Sequence, residues 1–315
     1  MDYNLSIPEI EKTEEKPSVE KNSEEILSQQ QEQSPQIQTK SEINNPLPQI
    51  TTQKTPSKLE NIRLQNLYNN FEELIDKGNY AKALSEGKKA LIFAQKIDDK
   101  NTQAKIFLNV AYIFDENNKL SQSLKNYNKA ATLAKISGDK ETQAKAYYNM
   151  ASIYDDLGKV DPALDHYHAA LALDGETENI KDQAQTLNSI GNIFTVKKDY
   201  RKALNYYKLA FGLAKNEADK TGQASILSNV AGVFRDLGID KKALNYYKES
   251  IKIDSEAGNC SGCAKSYEQA GDIMLKNGRF DKATNLYGKS LSLAQEIGDR
   301  NWSGRITEKI DQITL

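Results

Sequence analysis

Small and apolar residues recur at spacings of three and four along most of the chain, with polar residues between them. One such face is formed by Leu187, Ile190, Gly191 and Phe194, and the next by Ala203, Tyr207, Ala210 and Phe211. This spacing places the apolar residues on one side of a helix. The pattern therefore predicts pairs of amphipathic helices.

The pattern repeats every 40 residues without an insertion or a deletion. The first helix of each pair carries a small residue, at Ala111, Ala151, Gly191, Ala231 and Gly271. The second helix carries a tyrosine, at Tyr127, Tyr167, Tyr207, Tyr247 and Tyr287. Small residues also lie four before and three after each tyrosine. Self-similarity at such a period indicates stacked helical repeats.

These series predict how the repeats pack. Neighbouring helices must approach to about 8–10 Å between their axes, and large side chains at the contact would push them apart. Each tyrosine is expected to fill the space beside the small residues. We interpret the tyrosines as core residues, because a buried aromatic ring supplies a large apolar area.

Local signals predict where the helices begin and end. Gly78, Gly158, Gly238 and Gly278 lie between paired helices, where a chain that leaves a helix often needs a positive φ. Gly138-Asp139 and Gly298-Asp299 mark turns between repeats. Asp161-Pro162 is expected to start one second helix, with Asp161 as its cap. Asp240 breaks a series of bulky residues and is also expected to cap a helix.

The repeat resembles the tetratricopeptide repeat family in a 40-residue form. The family motif has a small residue late in the first helix, then Ala, an aromatic residue and Ala in the second. The stretches Gly191-Asn192-Ile193-Phe194 and Asp199-Tyr200-Arg201-Lys202-Ala203-Leu204 are similar to the repeat modules of Pins-type G-protein signalling modulators. The resemblance implies an all-α, right-handed solenoid of helix–turn–helix repeats.

Domain boundaries follow from this pattern. The predicted repeats span about 58–98, 99–138, 139–178, 179–218, 219–258 and 259–298. The first repeat is atypical, because Phe71 replaces the small residue and Gly87 replaces the tyrosine. Ser57 and Glu60 form a capping-box pattern before its first helix. A final helix over 300–313, with Trp302, Ile306, Ile310 and Ile313 on one stripe, is expected to cap the last repeat.

The resemblance also implies that the first helices line a concave face, which in this family binds peptides. The motif positions predicted to face it are Lys105, Asn109, Tyr112, Lys145, Tyr148, Asn149, Ser152, Asn188, Asn192, Asn229, Arg235, Lys265, Gln269 and Asp272. Asn and Gln amides donate and accept hydrogen bonds at once, so they suit an extended backbone. In the families that the chain resembles, groove Lys and Arg residues contact acidic groups.

Composition separates residues 1–57 from the rest. This segment holds six of the seven prolines and ten acidic residues against five lysines, a net charge of −5. It contains too little apolar surface to offset the entropy of ordering, so we expect it to be disordered. The remainder is near +3, which does not favour nucleic acid as a partner. No apolar run is long enough for a membrane span, and no signal peptide is seen, so a cytoplasmic protein is expected.

The residues that usually carry chemistry form no recognisable site. Cys260 and Cys263 have the spacing of a redox or metal pair, but a zinc site needs about four ligands and no second pair exists. A position at the start of a helix can lower a thiol pKa, yet two ordinary thiols are the interpretation that we favour. His166 and His168 lie two apart and point to different faces. We therefore expect no metal, no cofactor and no enzymatic activity.

Two functions remain as hypotheses. The first is an adaptor whose groove binds a peptide segment of a partner protein. The second is a peptide-sensing regulator, since repeats of similar length occur in bacterial regulators that bind signalling peptides. Those regulators carry an N-terminal effector domain, and residues 1–57 are too polar and proline-rich for one.

The acidic pairs Glu14-Glu15 and Glu24-Glu25 suggest a further role for the tail. Tethering raises their effective concentration near the basic residues of the groove. The tail would then compete with a partner, and its removal would raise affinity. A tail that only increases solubility is the interpretation we favour.

Overall fold

The computed structural model describes residues 55–314, and this part of the chain contains thirteen α-helices. In chain order they are α1 (Lys58–Asp76), α2 (Tyr80–Lys96), α3 (Lys100–Glu116), α4 (Leu120–Ser137), α5 (Lys140–Asp156), α6 (Val160–Glu176), α7 (Ile180–Val196), α8 (Tyr200–Asn216), α9 (Lys220–Asp236), α10 (Asp240–Glu256), α11 (Cys260–Lys276), α12 (Phe280–Ile297) and α13 (Arg300–Thr314). Residues 1–54 lie outside this part, so the predicted disorder of the tail stays a prediction.

The helices stack as six pairs followed by a single helix. Each odd-numbered helix packs along the even-numbered helix that follows it, and each pair packs on the next. Close Cα approaches also join α1 to α3, α3 to α5, α7 to α9 and α9 to α11. Hydrogen bonds from Tyr148 to Ser189 and Gln185 join α5 to α7. The odd-numbered helices from α1 to α11 therefore form one continuous face. The prediction of an all-α repeat solenoid is confirmed, and the described residues include no strand.

The tyrosine series forms the spine of the core. All five rings are buried, with at most 2% of each residue exposed. The small residues around them are buried as well. A Cβ atom added to Gly191 would lie 2.6 Å from Cε1 of Tyr207, and one added to Gly271 would lie equally close to Tyr287. At these two repeats the ring therefore needs glycine opposite it.

The first repeat reverses this arrangement. Phe71 of α1 is fully buried and occupies the position of the small residue. A Cβ atom on Gly87 of α2 would lie 2.8 Å from the Phe71 ring. A large and a small residue thus meet at the same level as in the other repeats. Here the large residue is on the first helix of the pair and the small residue is on the second. The atypical first repeat is a complementary solution to the same packing problem.

A second aromatic series lies on the other side of the helix pairs. Phe194 stacks on Tyr206 and Phe234 stacks on Tyr246, each with ring centroids 5.4 Å apart and planes 5° apart. Tyr154 stacks in the same way on His166. These contacts recur every 40 residues and hold the odd helix to its even partner.

The helix boundaries confirm most of the predicted turns. Each predicted interhelix glycine has φ between 67° and 73°. The Ser57–Glu60 capping box starts α1 as predicted. The predictions for two other caps are wrong. Lys159 precedes α6, so Asp161 lies inside the first turn, and Ile239 precedes α10, so Asp240 is already helical. In both cases the tight turn of the preceding residues starts the helix without a side-chain cap.

Helix α13 closes the stack, as predicted. Ile306 is fully buried against Ala283 and Tyr287 of α12. Trp302 and Lys309 on the same helix reach α11, where both bond to the carboxylate of Glu268 at 2.8 and 2.9 Å. The final helix thus covers the apolar end of the last repeat and also binds the end of the odd-helix face.

The glycine opposite Tyr207 provides a test of the packing. We expect Gly191→Ala to lower the free energy of unfolding by about 1–3 kcal/mol, because the added methyl group overpacks the ring. Gly212→Ala is the matched control. Gly212 is exposed in α8 with no atom within 4 Å of an added Cβ, so it should gain about 0.5–1 kcal/mol. Urea unfolding followed by circular dichroism measures both, and an unchanged midpoint for Gly191→Ala would contradict the packing argument.

Candidate functional site

Three cavities follow one another along the face of the odd-numbered helices. The Asp174 cavity, of about 320 Å³, is lined by α3, α5, α6 and α7. The Asn188 cavity, of about 490 Å³, lies between α5, α7 and α9, and the Asp254 cavity, of about 190 Å³, lies between α9, α10 and α11. The first two share Tyr148 and Gln185, and the last two share Ser225. We call this continuous surface the groove.

The structure brings nine of the predicted site residues into the groove. They are Asn109, Tyr112, Lys145, Tyr148 and Asn149 at the Asp174 cavity, Asn188 and Asn192 at the Asn188 cavity, and Asn229 and Lys265 at the Asp254 cavity. The other five lie outside these three cavities, and they are Lys105, Ser152, Arg235, Gln269 and Asp272.

Polar side chains form cross-links between successive odd helices. Asn229 Nδ2 donates to Asn188 Oδ1 at 2.9 Å, and Asn109 Nδ2 donates to the Tyr68 hydroxyl at 3.2 Å. Tyr148 bonds to Ser189 at 3.2 Å. The two residues of each pair are 41 apart in the chain, which is one residue more than the repeat. Each bond therefore joins a residue to the neighbour of its own equivalent in the following repeat. Much of the predicted asparagine row therefore holds the scaffold together.

Asn149 is the exception in this row. Its counterpart 41 residues earlier is Leu108, which has no polar atom to offer. Within the described chain, the Asn149 amide makes no side-chain hydrogen bond, although the residue lines the Asp174 cavity. This amide keeps both donors and its acceptor for another molecule.

Three of the charged residues predicted for the groove, Lys145, Arg235 and Asp272, are engaged within the chain. The Lys145 ammonium lies 2.6 Å from Glu141. Arg235 donates to Asp236 at 3.0 Å and to Gln269 at 2.7 Å. Asp272 accepts from Lys309 and from the Tyr287 hydroxyl, both at 2.7 Å. The Lys309 contact joins α13 to α11 beyond the three cavities.

Sequence reasoning missed the carboxylate at the floor of the groove. Asp174 ends α6 and is only 2% exposed. Burial, with nearby Asp182, raises the pKa of Asp174 to about 6. The other repeats mostly carry alanine at this level, at Ala94, Ala134, Ala214 and Ala294, all buried. An aspartate in this 40-residue series of alanines is the sequence signal that marks the position.

Asp254 is the only other aspartate at this level, and it has a different environment. It is also 2% exposed, but its Oδ1 accepts from Nδ2 of the capping residue Asn259 at 2.8 Å. The equivalent cap in the earlier repeat, Asn179, donates instead to Asp182 at 2.7 Å. No hydrogen bond reaches the Asp174 carboxylate from any described residue.

Of the cysteines and histidines, Cys263 and His166 are packed inside the helix stack. Cys263 is buried, its thiol lies 3.5 Å from the Ile251 carbonyl oxygen, and burial raises its pKa to about 11. The suggestion of a lowered pKa is therefore wrong for Cys263. His166 is half-buried between Tyr147 and Tyr154, whereas His168 is exposed. In residues 55–314 no three His, Cys, Asp or Glu residues are grouped as metal ligands.

Comparison with known families supports the repeat type. Residues 142–216 and 182–256 match the model of the tetratricopeptide repeat family. Together with the six helix pairs, this match supports a tetratricopeptide repeat protein. The finer likeness to Pins-type modules stays a prediction. A search of curated proteins finds no match.

Solved structures share the architecture at low sequence identity. BtubC from P. vanneervenii is 16% identical, with a TM-score of 0.58 over 73% of this chain and 92% of that one. The apo form of RapI is 15% identical, with a TM-score of 0.60 over 80% and 97%. A Rap protein complexed with competence and sporulation factor is 15% identical, with a TM-score of 0.56 over 83% and 76%. At this identity the likeness shows the fold.

Among the described helices, none combines the length and the apolar character that a membrane crossing requires.

Asp174 provides a test of the groove floor. We expect Asp174→Ala to raise the free energy of unfolding at pH 7 by about 1–2 kcal/mol, because it removes a buried carboxylate that lacks a hydrogen-bond donor. The folded-state pKa lies above the ordinary value of 3.8, so ionisation penalises the folded state as pH rises from about 4 to about 6. The gain should therefore shrink as the pH falls through this window.

Urea unfolding of the wild type and the variant between pH 4 and pH 8 measures this effect. Asp254→Ala is the matched control and should gain less, since its removal leaves the Asn259 amide without its partner. A pH-independent difference between wild type and Asp174→Ala would show that the carboxylate does not carry the penalty.

Proposed function

We propose that this chain is a protein-interaction scaffold that binds an extended peptide segment of a partner in the groove. The observation that carries this proposal is the run of three adjoining cavities along the odd-numbered helices. A compact globule would bury that surface, whereas a stack of helix pairs leaves it open. The proposal assigns no catalytic residue.

The chemistry of the groove suits a peptide backbone. Amides and hydroxyls line it from α3 to α11, and the Asn149 amide is unoccupied. Exposed polar groups of both kinds, donor and acceptor, match the alternating N–H and C=O groups of an extended chain. Tyr112 and Tyr148 add aromatic surface at one end, and Tyr112 is 40% exposed. Aromatic surface of this kind commonly anchors a ligand.

A peptide-sensing regulator is a second candidate. It is favoured by the structural similarity to a Rap protein that was crystallised with competence and sporulation factor. The same groove would then receive a free signalling peptide rather than a segment of a partner. The two candidates share the binding surface and differ in what a bound peptide changes elsewhere in the molecule.

A groove-blocking substitution tests the proposal. Asn149→Trp places a bulky ring in the Asp174 cavity without removing any of the cross-links between odd helices. We expect random phage-displayed peptides to be enriched on the immobilised wild-type chain and to lose at least about tenfold in affinity for the variant. Fluorescence anisotropy with synthetic copies of the enriched peptides measures the affinities.

Asn205→Trp is the control for the groove test. Asn205 is exposed on α8 and lines none of the three cavities. Its substitution should leave peptide affinity within about twofold of wild type, as for a surface change away from the site. Equal binding by all three proteins, or no enrichment on the wild type, would refute peptide binding in the groove.

A further inference from the structure

We propose that the Asp174 cavity is a specificity site that takes a lysine or arginine side chain of the bound peptide. This inference rests on the proposed function and adds the chemical class of residue that the peptide must carry. It reverses the expectation that groove lysines select acidic groups, because at this cavity Lys145 is paired with Glu141.

Three polar groups at the cavity lack partners within the described chain. The Thr186 hydroxyl is fully buried and makes no hydrogen bond. The residue Asp174 is 2% exposed, and its carboxylate accepts no hydrogen bond from a described residue. The Asn149 amide is half-buried, lines the same cavity and makes no side-chain hydrogen bond. Buried polar groups are normally satisfied, so a fully buried, unpaired hydroxyl beside a carboxylate without a donor points to a ligand at this cavity. A carboxylate, a hydroxyl and an amide oxygen are all acceptors for an N–H donor.

The missing partner of Asp174 has a specific cause. In the later repeat, Gly262 leaves room for the Asp254 carboxylate, and Asn259 donates to it. In the earlier repeat, Asp182 replaces that glycine and takes the donor of Asn179. The Asp174 carboxylate therefore faces the cavity without the donor that its counterpart has.

The charges facing Asp174 favour a cation. Helix α7 contributes Asp182, and helix α5 contributes Lys145 and Glu141, all of which interact electrostatically with Asp174. Three carboxylates and one ammonium leave a net negative site. A bound cation would offset the raised pKa of Asp174, since an opposite charge favours the ionised carboxylate. Affinity for a basic peptide should then weaken as the pH falls below about 6.

The cavity also suits the shape of a long basic side chain. Its volume of about 320 Å³ equals that of roughly ten water molecules. The rings of Tyr112 and Tyr148 line it beside Leu108, so the alkyl stem would meet apolar surface while the charged end meets Asp174. Lysine and arginine side chains commonly bury their stems in this way.

The fold does not need a carboxylate at this position. Four repeats place a buried alanine at the same level, so an aspartate there adds a desolvation penalty without a structural contact in return. Asp174→Ala restores the residue that the other repeats use and is expected to fold. The substitution therefore separates binding from folding.

The experiment uses the full chain and random phage-displayed peptides, selected on the wild type. We expect the enriched peptides to share a lysine or an arginine at one position. Synthetic peptides with that residue changed to glutamine, and the Asp174→Ala protein, should each lose about tenfold or more in affinity, while the two changes together lose little further. Asp165→Ala is the control and should bind as the wild type does, because Asp165 is exposed on the same helix α6 and lines none of the three cavities.

The outcomes separate the two proposals. Enrichment of a basic residue, with affinity lost in Asp174→Ala and retained in Asp165→Ala, supports the specificity site. Enriched peptides that bind Asp174→Ala as tightly as wild type, or that share an acidic residue or no charged residue, overturn it and leave the proposed function intact. Absence of any enrichment over Asn149→Trp overturns the proposed function itself.

Discussion

The structure depends on one packing relation, a buried aromatic ring set against a small residue on the paired helix. Tyr207 against Gly191 shows how little room remains, since a single methyl group would meet the ring at 2.6 Å. The first repeat keeps the relation with Phe71 and Gly87 exchanged between the helices. Because a buried ring meets a small residue in every pair, the pairs stack in the same way and their odd helices form one face.

That face carries two kinds of polar residue with different roles. Some side chains, such as Asn229 and Asn188, bond to each other and hold neighbouring repeats together. Asn149 and Asp174 have no such partner and lie together at one cavity. In the proposed function, a scaffold built from near-identical units becomes specific where one unit departs from the pattern. We expect this departure to lower stability slightly, as is typical of binding sites.

The candidate site could be predicted in part. Nine of the fourteen motif positions line the groove because the helical period fixes which face each residue occupies. Whether a residue there is available could not be predicted. Arg235 and Asp272 are held by Gln269 and Lys309, which come from other helices, and such distant contacts leave no mark in the local pattern.

The sequence by itself determined the helix pairs, their period, the buried tyrosines and the closing helix, because these follow from spacing and side-chain size within one repeat. The tertiary structure alone decided which polar groups remain unsatisfied. Asp174 and Asp254 look equivalent in sequence, yet Asp182 diverts the amide of Asn179 while Gly262 leaves that of Asn259 to Asp254. A hydrogen bond is made or lost when the distance between donor and acceptor changes by a few tenths of an ångström, and the packing of the helices sets that distance.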